Sequence, residues 1–236
     1  MLCFISLIVN WNSIIMGFID LLFTLLFLNG YGVYAPTCTD FPMLDEKKDV
    51  RLDVSPLLQG MRATVSYGVS DNFLVQADAS YNYSRYYGQM AGGWYHNYDN
   101  KVVEVLGGAS LGYGRTRNIW KAFDEPVMGN YATCFLQGNF GWKDVADSHI
   151  DVAVGVKGGY YNSLLSYYGG KDVGWVSDER YGSFFLEPNA VFRFGWEKFR
   201  INLKLGYNIH QESPAVKLRD VMCNYLCTEF SLNYHF

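Results

Sequence analysis

Residues 181–209, YGSFFLEPNAVFRFGWEKFRINLKLGYNI, carry a period of two on both sides of the short polar break Trp196-Glu197-Lys198. Taking alternate positions gives Phe184, Leu186, Ala190, Phe192, Phe194 and Trp196, then Phe199, Ile201, Leu203, Leu205, Tyr207 and Ile209. The opposite set is Ser183, Glu187, Asn189, Arg193 and Gly195, then Arg200, Asn202, Lys204, Gly206 and Asn208. Successive side chains of a strand point to opposite faces, so this stretch reads as an amphipathic β-hairpin with one face in an apolar medium and the other in a polar one.

The same alternation recurs outward from the hairpin. Upstream it predicts strands at about 49–56, 61–69, 73–84, 101–114 and 131–142, and a seventh in which Ile150, Val152, Val154, Val156 and Tyr160 oppose Asp151, Ala153, Gly155 and Lys157. A glycine-rich stretch at 89–95 reads as a weaker fourth strand, and the last strand ends the chain with Leu226, Phe230, Leu232, Tyr234 and Phe236 on its apolar face. Pro188 falls inside a strand although it has no N–H for the ladder, and a closed barrel has no edge for it. The breaks at 70–72, 96–100, 143–147 and 196–198 are short, whereas loops at 115–130, 163–180 and 210–222 are long. With ten strands all four short turns fall at one end, the pattern of an all-β, transmembrane, antiparallel up-and-down barrel. Eight strands is the alternative count.

Composition agrees with that class. The hydrophobic fraction is 50% against 18% charged, and 19 Tyr, 16 Phe, 6 Trp and 24 Gly exceed soluble usage. A soluble barrel also alternates, but its outer face would carry more Lys, Glu and Thr than these Gly-, Ser-, Ala- and Asn-rich polar faces do. The apolar stripes also end in aromatics such as Trp142, Tyr160, Trp196, Tyr207 and Tyr234, as interface girdles do. A net charge of -4 gives no basic footprint for nucleic acid.

Residues 1–35 are almost uniformly apolar, and Leu21 to Leu28 resembles the core of a secretory signal peptide. The segment is expected to be removed, after Gly32 or Ala35, or else to stay as a membrane helix. A polar, extended segment then runs to Lys48, and residues 36–236 form the barrel domain. Cys3, Cys38, Cys134, Cys223 and Cys227 make no CxxC pair and are expected as unpaired thiols. Cys223 and Cys227 on one strand would lie roughly 13 Å apart, too far for a disulfide.

Strand parity sends Arg51, Arg62, Lys157, Arg193, Arg200 and Lys204 into the lumen together with Asp53, Asp78, Glu104, Asp151, Glu187 and Glu229. Charges buried in a narrow lumen must pair, and balanced signs point to a salt-bridged plug instead of a selective pore. Glu187 and Glu104 are expected to be available to pair with long side chains such as Arg193, Arg200 and Lys204. Trp120 and Phe123 in one loop, and Tyr167, Tyr168 and Trp175 in another, are candidate binding aromatics or an extension of the girdle. The histidines are His96, His149, His210 and His235, and no serine stands in a nucleophile motif, so no catalytic residue, metal or cofactor is expected. A surface-interaction barrel, a small pore and a rim enzyme are the functions in view.

From residue 34 onward the chain resembles the small outer-membrane barrels of Gram-negative bacteria, in particular an OmpA-like group common in gut anaerobes. The carriers are Tyr34-Ala35-Pro36 running on to Pro42-Met43-Leu44-Asp45-Glu46-Lys47, then Val65-Ser66-Tyr67-Gly68-Val69-Ser70-Asp71-Asn72, Val103-Glu104-Val105-Leu106-Gly107-Gly108-Ala109 and Leu186-Glu187-Pro188-Asn189. The resemblance implies outer-membrane lipid as the surroundings and the barrel-assembly machinery as a partner, with Phe230, Leu232, Tyr234 and Phe236 as the assembly signal. Members of that group often carry a lipobox cysteine ahead of this region, but here no Cys lies between Leu21 and Thr37. The resemblance also implies a β-bulge at Pro188.

Overall fold

The structure is a computed structural model that describes residues 33–34, 38–57, 60–115, 127–145, 149–168, 174–196, 198–210 and 226–236. Its strands are β1 (Val50–Leu57), β2 (Gly60–Ser70), β3 (Phe73–Asn82), β4 (Arg85–Tyr98), β5 (Lys101–Arg115), β6 (Val127–Trp142), β7 (Ile150–Tyr168), β8 (Trp175–Gly195), β9 (Phe199–Tyr207), β10 (Ile209–His210) and β11 (Leu226–His235). Each pairs antiparallel with its sequence neighbours from β1 to β9, and β11 pairs with both β9 and β1. The sheet therefore closes, and the two-residue β10 continues the line of β9, which makes ten strands around the barrel.

The split between β9 and β10 traces to Pro188. Gly206 faces Asn189 and Ile209 faces Leu186, one unbroken register, so Tyr207 and Asn208, where the pairing with β8 lapses, lie opposite Pro188 and Glu187. Pro188 has no N–H to give, and the ladder lapses there. The expected bulge is absent: β7 and β8 run through Val156↔Pro188 without a register shift. A gap in hydrogen bonding accommodates the proline with no extra residue.

Two other expectations need correction. The fourth strand is a full member of the barrel, 14 residues long and paired along its whole length with β5. The long loop at 163–180 shrinks, because β7 extends to Tyr168 and β8 begins at Trp175, with Tyr168 opposite Trp175. At 19 and 21 residues, β7 and β8 are about twice the length that spans a bilayer as a tilted strand. With β5 and β6 they form a tall wall, while β1 to β3 are only 8 to 11 residues long.

The outer face is apolar in a bounded band. On β3 the exposed positions run Phe73, Val75, Ala77, Ala79, Tyr81, and on β5 they run Val105, Ala109, Leu111. Above Tyr160 on β7 and Ala132 on β6 the next outward positions are polar, the exposed Asn162 and Asn130, before Leu164 on β7. Exposed Tyr81, Tyr83, Tyr86, Tyr160 and Tyr207 mark one edge, and Trp94, Tyr98, Trp196, Tyr234 and Phe236 mark the end with the short turns.

The largest departure from the expected layout is the segment before β1. Instead of leading in from outside, residues 38–44 are buried and bonded to walls all around the barrel, so they lie inside it. Arg62 on β2 reaches the Cys38 carbonyl at 2.7 Å, Glu104 on β5 accepts from the Met43 N–H at 2.6 Å, and Arg193 on β8 donates to the Phe41 carbonyl at 2.9 Å. Val33 and Tyr34 lie nearer the loop end, where Tyr34 packs against Tyr131, Tyr161 and Phe185. Inward glycines leave the room: a Cβ on Gly114 would meet the Val33 carbonyl at 2.0 Å, and one on Gly155 would meet the Phe41 ring at 2.8 Å.

Candidate functional site

The lumen is where the polar chemistry gathers. All twelve charges assigned by parity point inward; every one is buried except Arg200, whose side chain is 12% exposed. The register on neighbouring strands decides which of them meet.

Two cationic hubs hold the middle. Lys204 on β9 contacts Asp53 at 2.7 Å, Asp40 of the lumen segment at 3.0 Å and Glu229 at 3.4 Å. Asn202 and Ser231 also donate to Asp53. Arg62 pairs with Asp78 and Glu229, both at 2.6 Å, while the Tyr87 hydroxyl donates to Asp78. Planar guanidinium geometry lets one arginine serve two carboxylates and a backbone carbonyl at once. Toward the loop end Lys157 lies 3.7 Å from Glu187 and 4.4 Å over the Phe135 ring, and it donates to Gln89 at 2.9 Å. Glu187 accepts from Tyr34 at 2.8 Å and from Asn208 at 3.1 Å.

Arg193 and Arg200 do lie toward the short-turn end, but their carboxylate partners differ from those expected. Both meet Asp151, Arg193 at 3.6 Å and Arg200 in a close pair, and Arg200 also reaches Asp144 at 3.0 Å. Asp151 sits directly opposite Arg193 in the β7–β8 register, whereas Glu187 is six residues, roughly 20 Å, farther along β8. Glu104 is held by the Met43 N–H and by Asn139 at 2.8 Å.

The short-turn rim is closed by a second cluster. Asp45 bridges Lys143 at 2.7 Å and Arg51 at 3.0 Å, and its N–H donates to Asp49, which also contacts His235. Lys143 further donates to the Leu44 carbonyl at 2.8 Å and to Asn97 at 2.9 Å, tying the end of the lumen segment to the turn after β6 and to the end of β4. Burial would raise the Asp45 carboxyl, but Lys143 and Arg51 outweigh it and hold it below the usual range. Asp49 is likewise lowered against burial by its hydrogen bond to His235. Burial lowers Lys143. Asp45, Asp49 and His235 could offer three metal-ligand atoms within 4.8 Å of one another, but these carboxylates are already occupied by Arg51 and Lys143.

Parity reached the wall charges and missed the contributors from the lumen segment: Tyr34, Asp40, Phe41 and Met43. The available signal was volume, since the inward positions of β5 and β7 include Gly108, Gly112, Gly114, Gly155 and Gly159, which put no side chain into the lumen. Cys38 and Cys227, expected as unpaired thiols, are free and buried, but their sulfurs lie 2.7 Å apart; Cys223 lies outside the described residues. Cys134 faces outward, exposed. Of the candidate loop aromatics, Tyr167, Tyr168 and Trp175 belong to the β7–β8 strands, and Trp120 and Phe123 lie outside the described residues. Phe230, Leu232, Tyr234 and Phe236 alternate on the outer face of the closing strand and just beyond it. Three histidines lie toward the short-turn end, His96 near Asn72, His149 near Asp144 and His235 on Asp49, and His210 stands beside Tyr34 toward the other end.

Fold and site together define a closed ten-stranded antiparallel barrel with an apolar exterior belt and a polar lumen occupied by its own N-terminal segment. Set against family models, curated proteins and solved structures, the chain finds no match.

Proposed function

We propose that this chain is an outer-membrane barrel that is closed to ions and serves a structural or surface-interaction role. The observation that carries the reading is the hydrogen bonding of residues 38–44 to strands on opposite walls, which leaves the lumen charges paired with one another and with backbone groups. The exterior belt supports insertion in lipid, because apolar bands bounded by aromatics are what a bilayer-spanning barrel presents. The resemblance to OmpA-like barrels supports the outer membrane in particular, with the C-terminal aromatics addressed to the barrel-assembly machinery. The tall β5–β8 wall, rising past the belt, is the surface offered to an extracellular partner. No catalytic chemistry is assigned to it.

Epitope insertion tests orientation and location together. A tag placed within 170–173 should bind antibody on intact cells, and one placed at 99–100 only after permeabilisation. Labelling of both tags in intact cells, or of neither, would defeat the reading.

A further inference from the structure

We propose that Cys38 and Cys227 are joined by a disulfide that staples the lumen segment to β11. Cys38 belongs to the segment inside the barrel and Cys227 to the wall, 189 residues apart in sequence, and both are buried with their sulfurs 2.7 Å apart. The Cys38 backbone is held from two sides: Arg62 binds its carbonyl at 2.7 Å, and the next N–H, of Thr39, donates to Asn189 on β8 at 3.1 Å. Cys227 is fixed by the ladder opposite Gly206, where a Cβ would meet the Asn189 side chain at 2.3 Å, so the glycine lets Asn189, which holds the Thr39 N–H, sit beside Cys227. Neither sulfur can drift far while those contacts stand. The third described thiol, Cys134, faces out from β6 and is a built-in control.

The chemistry is thiol–disulfide exchange. One thiolate attacks a disulfide of an exchange partner, whether a small disulfide or a dithiol oxidoreductase, to give a mixed disulfide; the second thiolate then displaces the partner's remaining sulfur. The two thiol protons and the two electrons pass to the partner, whose disulfide leaves as two thiols. Both sulfurs are buried in the finished barrel, so exchange takes place as the barrel closes around its segment. The proposal rests on the envelope location given above for its oxidising surroundings, and on the lumen geometry for its pairing. Once formed, the link prevents withdrawal of the segment through the barrel.

The test is to refold the purified chain into detergent with a mixture of oxidised and reduced glutathione. The mixture is then quenched with acid, alkylated under denaturing conditions, and the cysteine peptides are mapped by mass spectrometry. The expected result is a linked peptide pair containing Cys38 and Cys227 with Cys134 alkylated, and, in Cys38→Ser, an alkylated Cys227 in a barrel that still shifts on heating in a mild detergent gel. A heat-shifting barrel in which Cys38 and Cys227 are both alkylated would overturn the proposal, as would a Cys223–Cys227 link. Refolding in detergent makes no use of cellular location, so failure here and failure of the epitope test are distinguishable.

Discussion

Lys204 is wholly buried, and three carboxylates surround its ammonium. A buried cation in this position neutralises groups that would otherwise be stranded, so removing it is more damaging than its modest net contribution suggests. Lys204→Met should therefore destabilise the barrel by about 3–5 kcal/mol in urea unfolding from detergent, whereas Arg115→Ala on the exposed rim should change it by less than about 0.5 kcal/mol. At the short-turn rim the sign of the pH effect follows from the depressed Asp45 and Asp49 carboxyls. Their stabilisation is complete above the ordinary carboxylate value of 3.8 and is lost as pH falls through the lower folded values. Asp45→Asn should flatten the loss of stability seen on acidification below about pH 4; an unchanged acid slope would remove Asp45 from the account. Tyr34 bears on processing: its ring packs on three aromatics inside the barrel, so a leader peptidase that cuts here should cut after Gly32 and spare it. N-terminal sequencing that begins at Pro36 would contradict this.

At the scale of single strands, the 181–209 hairpin was legible because both of its arms alternate strictly and a short polar turn separates them. Its outer face in the structure is the apolar set read from sequence. β4 was harder to see, since Gly88, Gly92 and Gly93 carry no hydropathy signal, and only its neighbours' hydrogen bonds make it a strand. The ends of β7 and β8 were misread for a related reason. Above the belt polar and apolar residues mix on both faces, with Asn162 and Leu164 outward and Tyr161, Ser163 and Leu165 inward, so the alternation is lost and resembles a loop. Depth can be tested on one strand, because Leu203 and Phe199 both face out from β9 but Phe199 sits next to the turn. Leu203→Arg should cost about 2–4 kcal/mol of folding stability in lipid and Phe199→Arg about 0–1 kcal/mol. Equal effects would place this face outside a bilayer.

For the molecule as a whole, closure and the inward set of charges could be derived from parity, but the occupant of the lumen could not. The contacts of residues 33–34 and 38–44 reach partners as far as 189 positions away, and no local period announces them. The same blindness misassigned Arg193 and Arg200, whose partner is fixed by the β7–β8 register and not by charge balance. Eight strands enclose a lumen that side chains can fill, and open channels need about sixteen. At ten strands the wall alone falls slightly short, and the N-terminal segment makes up the difference. Single-channel recording in planar bilayers tests this most directly, with heat-shifting barrel as the sample. The unmodified protein should be electrically silent, and deleting residues 38–44 should produce discrete conductance steps; steady, ion-selective steps from the unmodified barrel would contradict the account.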